Sequence, residues 1–277
     1  MVSFHGRFAW YELLTTDMEA AKTFYTKVMG WGALDASVPN RAYALFSAGN
    51  VLVGGLMELR EDVRKLGAKP GWLGYVGVDD VDAAAERIRR LGGTVLVPPT
   101  DIPNISRFSI FADPQGARLA LLKWQRPGPA LHAALDGPGG VGWHEQLAAD
   151  REQASSFYRG LFGWQRTDSF TSTYQLISVD GQEIGGMLTK PPEVADPFWL
   201  YYFNVSDLNA AAQRVKACGG EILDGPFEVL GGTCVVRCND PQGAKFALEG
   251  KLRRRPVGYF EGVGADPSDN HGRRWSW

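Results

Sequence analysis

The sequence predicts an α+β protein of two tandem, homologous domains, each built as strand, helix and several strands twice over. Three repeated stretches carry that reading. DMEAAKTFYTKVMGW at Asp17 to Trp31 returns as DREQASSFYRGLFGW at Asp150 to Trp164. VDDVDAAAERIRRLGG at Val78 to Gly93 returns as VSDLNAAAQRVKACGG at Val205 to Gly220. ADPQGARLALLK from Ala112 returns as NDPQGAKFALEGK from Asn239. Such self-similarity constrains the architecture before any single element is assigned, because two copies of one pattern fold alike. The offset between copies shrinks by only a few residues from the Asp17/Asp150 pair to the Asp113/Asp240 pair, so they differ by short loop changes.

Taken in order, Phe8 to Thr15 reads as a strand, with Trp10, Glu12 and Leu14 on one face and Tyr11, Leu13 and Thr15 on the other. Asp17 suits a helix N-cap, where its side-chain oxygen satisfies a free backbone N–H. Ala21, Phe24, Tyr25 and Val28 then recur at helical spacing, and Gly30 ends the run. Ala42 to Phe46 and Val51 to Leu56 read as strands around a turn at Ser47 to Asn50, followed by a charged connection from Glu58 to Pro70. The strand Trp72 to Val78 leads into a helix near Val81 to Leu91, closed by Gly92 and Gly93. Arg107 to Phe111 and Ala117 to Leu122 are strands joined by DPQG, whose Pro and Gly suit a tight antiparallel turn. The domains are expected at 1–124 and 141–251, with a Pro- and Gly-rich linker at 125–140 and an irregular tail at 252–277.

Composition bounds the function. A chain of 277 residues can bury two ordinary cores. With 22% charged and 44% hydrophobic residues and a formal net charge of −2, it looks globular and gives no reason to expect nucleic acid. No apolar run reaches membrane-spanning length, and MVSFHGRFAW lacks the basic start and apolar stretch of a signal peptide, so a cytoplasmic, membrane-free protein is expected. Cys218, Cys234 and Cys238 are odd in number and confined to the second copy, which argues against a disulfide framework.

The opening strand, the Asp-capped helix with its FY pair and following GW, the GG-terminated second helix and the DPxG hairpin together resemble the glyoxalase, bleomycin-resistance and extradiol-dioxygenase superfamily, also called vicinal oxygen chelate proteins. The resemblance covers Arg7 to Lys123 and Val141 to Lys251. Its two-copy layout is most similar to actinobacterial proteins of the CFP-30B antigen type, often labelled hydroxylases. It implies glyoxalase-like domains of paired β-α-β-β-β modules whose curved mixed sheets enclose a cavity. In metal-using relatives that cavity holds a divalent ion on His, Gln or Glu.

Carried over residue by residue, the family's ligand positions fall on Trp10 and Trp143, on Gly54 or Gly55 and Gly185 or Gly186, on Leu73 and Leu200, and on Ala120 and Ala247. A catalytic metal takes about three donors from His, Cys, Asp or Glu. None stands here, so no metal and no other cofactor is expected. Glu12 and Glu145 lie two residues beyond the tryptophans on the same strand face, and burial would raise the pKa of either enough for acid or base catalysis. The alternative for each is a carboxylate paired with Arg or reaching the strand end. His144 should point the other way.

Aromatic residues remain as the candidate ligand contacts: Trp10, Tyr43, Trp72, Trp143, Tyr174 and Trp199, with Tyr75 and Tyr202 on the neighbouring strands and Arg107 as an anchor for a carboxylate or phenolate. The indoles either line the cavity or plug it. Two functions follow. One is a metal-independent binder of a small aromatic or hydrophobic metabolite. The other is a superfamily enzyme (a lyase, isomerase, or dioxygenase/hydroxylase) acting on a small hydrophobic or dicarbonyl substrate. The expected partner is that small molecule, and the protein itself is expected to be a monomer or homodimer.

Overall fold

The computed structural model describes residues 4–39, 41–65, 67–125, 137–167, 173–229 and 232–252. Most of the expected linker and all but the first residue of the expected tail lie outside these. In the first domain β1 (Phe8–Thr15), α1 (Met18–Met29), β2 (Gly32–Asp35), β3 (Tyr43–Ala48) and β4 (Val51–Glu58) form one module. A short helix α2 (Glu61–Lys65) joins it to β5 (Gly71–Gly77), α3 (Val81–Arg90), β6 (Thr94–Ile102), β7 (Ser106–Ala112) and β8 (Arg118–Trp124). The second domain repeats the pattern. Its first module holds β9 (Val141–Ala148), α4 (Arg151–Phe162), β10 (Gln165–Arg166), β11 (Tyr174–Val179) and β12 (Gln182–Thr189). Its second holds β13 (Phe198–Val205), α5 (Leu208–Ala217), β14 (Glu221–Glu228), β15 (Cys234–Asn239) and β16 (Lys245–Gly250).

Each domain is one open sheet of eight strands. The orders are β2-β3-β4-β1-β5-β8-β7-β6 and β10-β11-β12-β9-β13-β16-β15-β14. Within a module the first and last strands pair in parallel, and the two modules join through the antiparallel pairs β1/β5 and β9/β13. One face of each sheet carries the helices, and among the described residues the other, concave face has a separate apolar cluster with no helix in it.

The helix-covered faces of the two sheets meet, so one continuous apolar core spans both domains, from Tyr11, Phe24 and Tyr25 to Tyr158, Trp199 and Phe246. Its polar anchors obey the repeat. The Trp72 indole N–H donates to the Tyr25 hydroxyl (2.9 Å), which donates across the domains to Asp240 (3.2 Å). The Trp199 indole donates to the Tyr158 hydroxyl (3.0 Å), which donates to Asp113 (3.0 Å). The aspartates of the two DPQG turns therefore tie the domains together as well as closing their own hairpins, where Asp113 Oδ1 accepts from the backbone N–H groups of Gln115 and Ala117.

The structure differs from the sequence expectation at sheet edges. β6 and β14 were not foreseen, because Pro98, Pro99 and Pro226 interrupt their patterns. Both are outermost strands, and each pairing slips in register where its prolines fall, between Val97 and Thr100 and between Asp224 and Phe227. Proline is tolerated only at such positions, since it cannot donate to the ladder. The charged connection after Glu58 contains the single turn of α2.

Candidate functional site

The concave face of the first domain has an apolar floor of Trp10, Leu73, Tyr75, Ala120 and Leu122, bordered by the half-buried Leu14, Leu45, Leu52, Phe108, Ile110 and Trp124. Trp10 meets Trp124 edge to face at 6.1 Å. Strand alternation explains the membership: Trp10 and Glu12 share a face of β1, Leu73 and Tyr75 share one of β5, and β1 and β5 are paired with Glu12 opposite Leu73.

Set into this floor is one carboxylate. Glu12 is 6% exposed, and its Oε2 accepts the Tyr75 hydroxyl at 2.6 Å. The Tyr43 hydroxyl is its second partner and in turn takes the Trp10 indole N–H. Burial pushes the Glu12 pKa above the usual carboxylate range, and the two phenols and the more distant Arg41 offset only part of that. Burial next to Glu12 also raises the pKa of Tyr75 and Tyr43, so both phenols stay protonated and donate.

The glycines after Leu52 have clear assignments. A Cβ on Gly55 would lie 2.7 Å from Tyr43 Cζ and 3.2 Å from Glu12 Oε1, so the bare backbone makes room for the Tyr43 ring. Gly54 faces the other way, where its Cβ would meet the Tyr11 carbonyl at 3.0 Å. The close approach at this pair is therefore by the protein's own groups.

The second domain repeats the arrangement with one addition. Tyr202 donates to Glu145 Oε2 at 2.8 Å, and the Trp143 indole donates to the Tyr174 hydroxyl at 2.8 Å. Tyr174 is also hydrogen-bonded to Glu145. Here, however, Arg237 Nη2 donates to Glu145 Oε2 at 2.9 Å, and Arg237 Nη1 lies 3.6 Å from Asp224. The first domain has one buried carboxylate among phenols, whereas the second has a neutralised network.

The sequence-predicted residues thus separate. Trp10, Tyr43 and Glu12 come together in the first domain and Trp143, Tyr174 and Glu145 in the second. Trp72 and Trp199 do not join them. Each is one residue from an inward-facing leucine, so alternation sends it to the helix side, where it is buried between the domains. Arg107 also lies on the helix side, held bidentately by Asp82 of α3 at 2.7 and 2.8 Å and by Asp101 at 3.0 Å. It is not available as an anion anchor on the concave face.

His144 points away from Glu145, as expected, and makes the contact at the centre of the molecule. Its Nε2 is 2.5 Å from the Tyr11 hydroxyl, its Nδ1 is 2.5 Å from the Ile184 carbonyl, and its ring stacks on Phe8 at 3.8 Å. Tyr75 and Tyr202, expected among the aromatic residues on the strands beside the cavity, are the direct partners of the two carboxylates. Arg237 is what sequence reasoning left out of the site. Arg237 stands where the first copy has Ile110, so the repeat supplied no second basic residue to flag it.

The donor set does not fit the family's divalent ion. The structure places Trp10, Leu73 and Ala120 together on the floor beside Gly55, and indole, isobutyl, methyl and hydrogen supply no ligand atom. Glu12 lies beside them, and two phenols hold it; among the described residues no group of three His, Cys, Asp or Glu side chains could hold a metal.

Paired β-α-β-β-β modules, joined into an open eight-stranded sheet, define the class of fold. The chain belongs to the glyoxalase/bleomycin resistance protein/dioxygenase superfamily, which it matches over residues 7–121 and 140–248. Among named relatives, it is 30% identical to the CFP32 protein of Mycobacterium bovis, provisionally named a glyoxylase, over 86% of this chain and 92% of that one. It is 31% identical to the anthracycline biosynthesis protein DauV of Streptomyces sp. strain C5, over 88% and 92% of the two chains. Its fold is similar to that of the Mn(II)-bound glyoxalase from Novosphingobium aromaticivorans, with a TM-score of 0.63 at 16% identity, covering 91% of this chain and 84% of that one.

Proposed function

We propose that this protein binds a flat, aromatic or hydrophobic small molecule on the concave face of its first domain, without the metal its superfamily commonly uses. The observation that carries this reading is the floor itself: the family's ligand positions hold apolar side chains that continue into Trp124, Phe108, Ile110 and Leu45. Such a face suits a ring system held by stacking and area, and its few polar groups fix orientation. Those groups are the Tyr75 and Tyr43 hydroxyls and the Glu12 carboxyl. Relatives named for anthracycline biosynthesis make a fused-ring aromatic the first class to test.

One feature favours turnover as a second reading. A buried carboxyl whose pKa burial raises, with two phenols within reach, can exchange a proton with a bound ligand. That is metal-independent acid-base chemistry of the kind a lyase or isomerase uses.

Purified protein, analysed for metal content and titrated with hydroxyanthraquinones while tryptophan fluorescence is followed, tests the proposal. The expected result is saturable quenching unaffected by chelator, with affinity lowered about tenfold or more in Trp10→Ala. Stoichiometric divalent metal whose removal abolishes binding would refute it. Conversion of the ligand, lost in Glu12→Gln, would establish the second reading.

A further inference from the structure

The same register position carries opposite chemistry in the two domains. Arg237 stands opposite Ala247 on β16, and Ile110 stands opposite Ala120 on β8. Asp224, opposite Arg237, is matched by Val97, opposite Ile110. A guanidinium and its outer carboxylate in the second domain are thus two aliphatic side chains in the first. The carboxylates they would serve are otherwise alike: Glu12 is 6% and Glu145 5% exposed, and each is held by two tyrosines.

A carboxylate has about four acceptor sites, and two phenols leave room for another donor. In the second domain Arg237 takes that place. In the first, among the described residues, the cation that acts on Glu12 is Arg41, which is exposed, lies 5.8 Å over the Tyr43 ring and hydrogen-bonds Met57 Sδ at 3.8 Å. A buried carboxylate without a bonded cation is held at a cost in free energy that a positive group arriving from outside would relieve.

Resting on the reading that the first domain holds the ligand, we propose that this site selects aromatic ligands carrying a protonated nitrogen. The ammonium, or a basic ring nitrogen, sits against Glu12 as Arg237 sits against Glu145, and the ring system lies on Trp10, Trp124 and Ile110. The elevated pKa of Glu12 accords with this, since a cationic ligand would draw the carboxyl back into its charged form. The second domain, already neutralised, has no such preference.

The test uses two probes of one shape, 9-(aminomethyl)anthracene and 9-anthracenemethanol, titrated into the full chain near pH 7.5 with fluorescence readout. The ammonium is expected to bind about tenfold or more tightly than the alcohol, a ratio that corresponds to one buried charge-assisted contact. Glu12→Gln should bring the ratio toward one, and so should Ile110→Arg, which transplants the second domain's cation. Equal affinity of the two probes for the unaltered protein would overturn the inference while leaving the binding reading intact. Failure of both probes to bind would remove the binding reading and this inference with it. A ratio unchanged in Glu12→Gln would also overturn it, and if that variant does not fold, the unaltered protein's ratio and Ile110→Arg decide.

Discussion

At Gly55 the chain omits a side chain so that Tyr43 can cross β4 and reach Glu12, and Gly186 does the same for Tyr174. A methyl at Gly55 would force the phenol off the carboxylate, because Tyr43 Cζ lies within 2.7 Å of where it would stand. Overpacking of this kind costs about 1–3 kcal/mol, so Gly55→Ala should lower the urea midpoint and weaken ligand binding together. Unchanged stability would mean that Tyr43 does not occupy that place. The same scale shows why the sequence misled at Trp72, Trp199 and Arg107. All three are chemically suited to a ligand, yet the side on which each stands follows from alternation, and Leu73 and Leu200 had already been placed inward. Ile110 and Arg237 lay beyond sequence reasoning for another reason: neither is unusual alone, and although the repeat aligns them, only the contact between Arg237 and Glu145 shows that the difference bears on the carboxylate.

At the scale of elements, four helices begin alike. Asp17, Asp80, Asp150 and Asp207 sit in extended backbone, and each accepts the backbone N–H three residues on. Two of these caps, Asp17 and Asp150, were read directly from the repeat, and the strands β1, β5 and β8 were placed within about two residues by period-two patterning. The edge strands β2, β6 and β14 were missed because they are short, exposed or interrupted by proline, and apolar periodicity fades where only one side of a strand is paired and little of it is buried. Among the described residues, the Asp80 carboxylate accepts only its capping N–H, from Ala83. Asp80→Ala should therefore cost about 1 kcal/mol and lower the melting temperature by roughly 2–4 °C, with ligand affinity unchanged, as calorimetry and titration would show. A larger fall would mean that α3 holds more of the domain interface than its cap accounts for.

The whole molecule folds around a core that neither domain completes alone, and His144 sits near its centre. The Ile184 carbonyl can only accept, so Nδ1 carries the proton and neutral Nε2 accepts from Tyr11. Burial drives the pKa of His144 from 6.5 to about 4. The unfolded chain therefore binds a proton between those values that the folded chain does not, and stability present above pH 6.5 is lost as pH falls toward 4. Between pH 7 and pH 5 the loss is about 2 kcal/mol, at ~1.4 kcal/mol per pH unit below the unfolded value. The buried carboxyls Glu12, Asp113 and Asp240 act in the opposite direction, since burial raises their pKa and the folded chain takes up their protons first as pH falls. That opposing trend is common to a His144→Gln variant, so the difference between the two proteins isolates the histidine. His144→Gln should be less stable at pH 7, having lost the Phe8 stack, yet show the smaller drop in urea midpoint on going to pH 5. Parallel pH profiles for the two proteins would mean that His144 is protonated or solvated at the domain interface, and that the two sheets do not close over it as described.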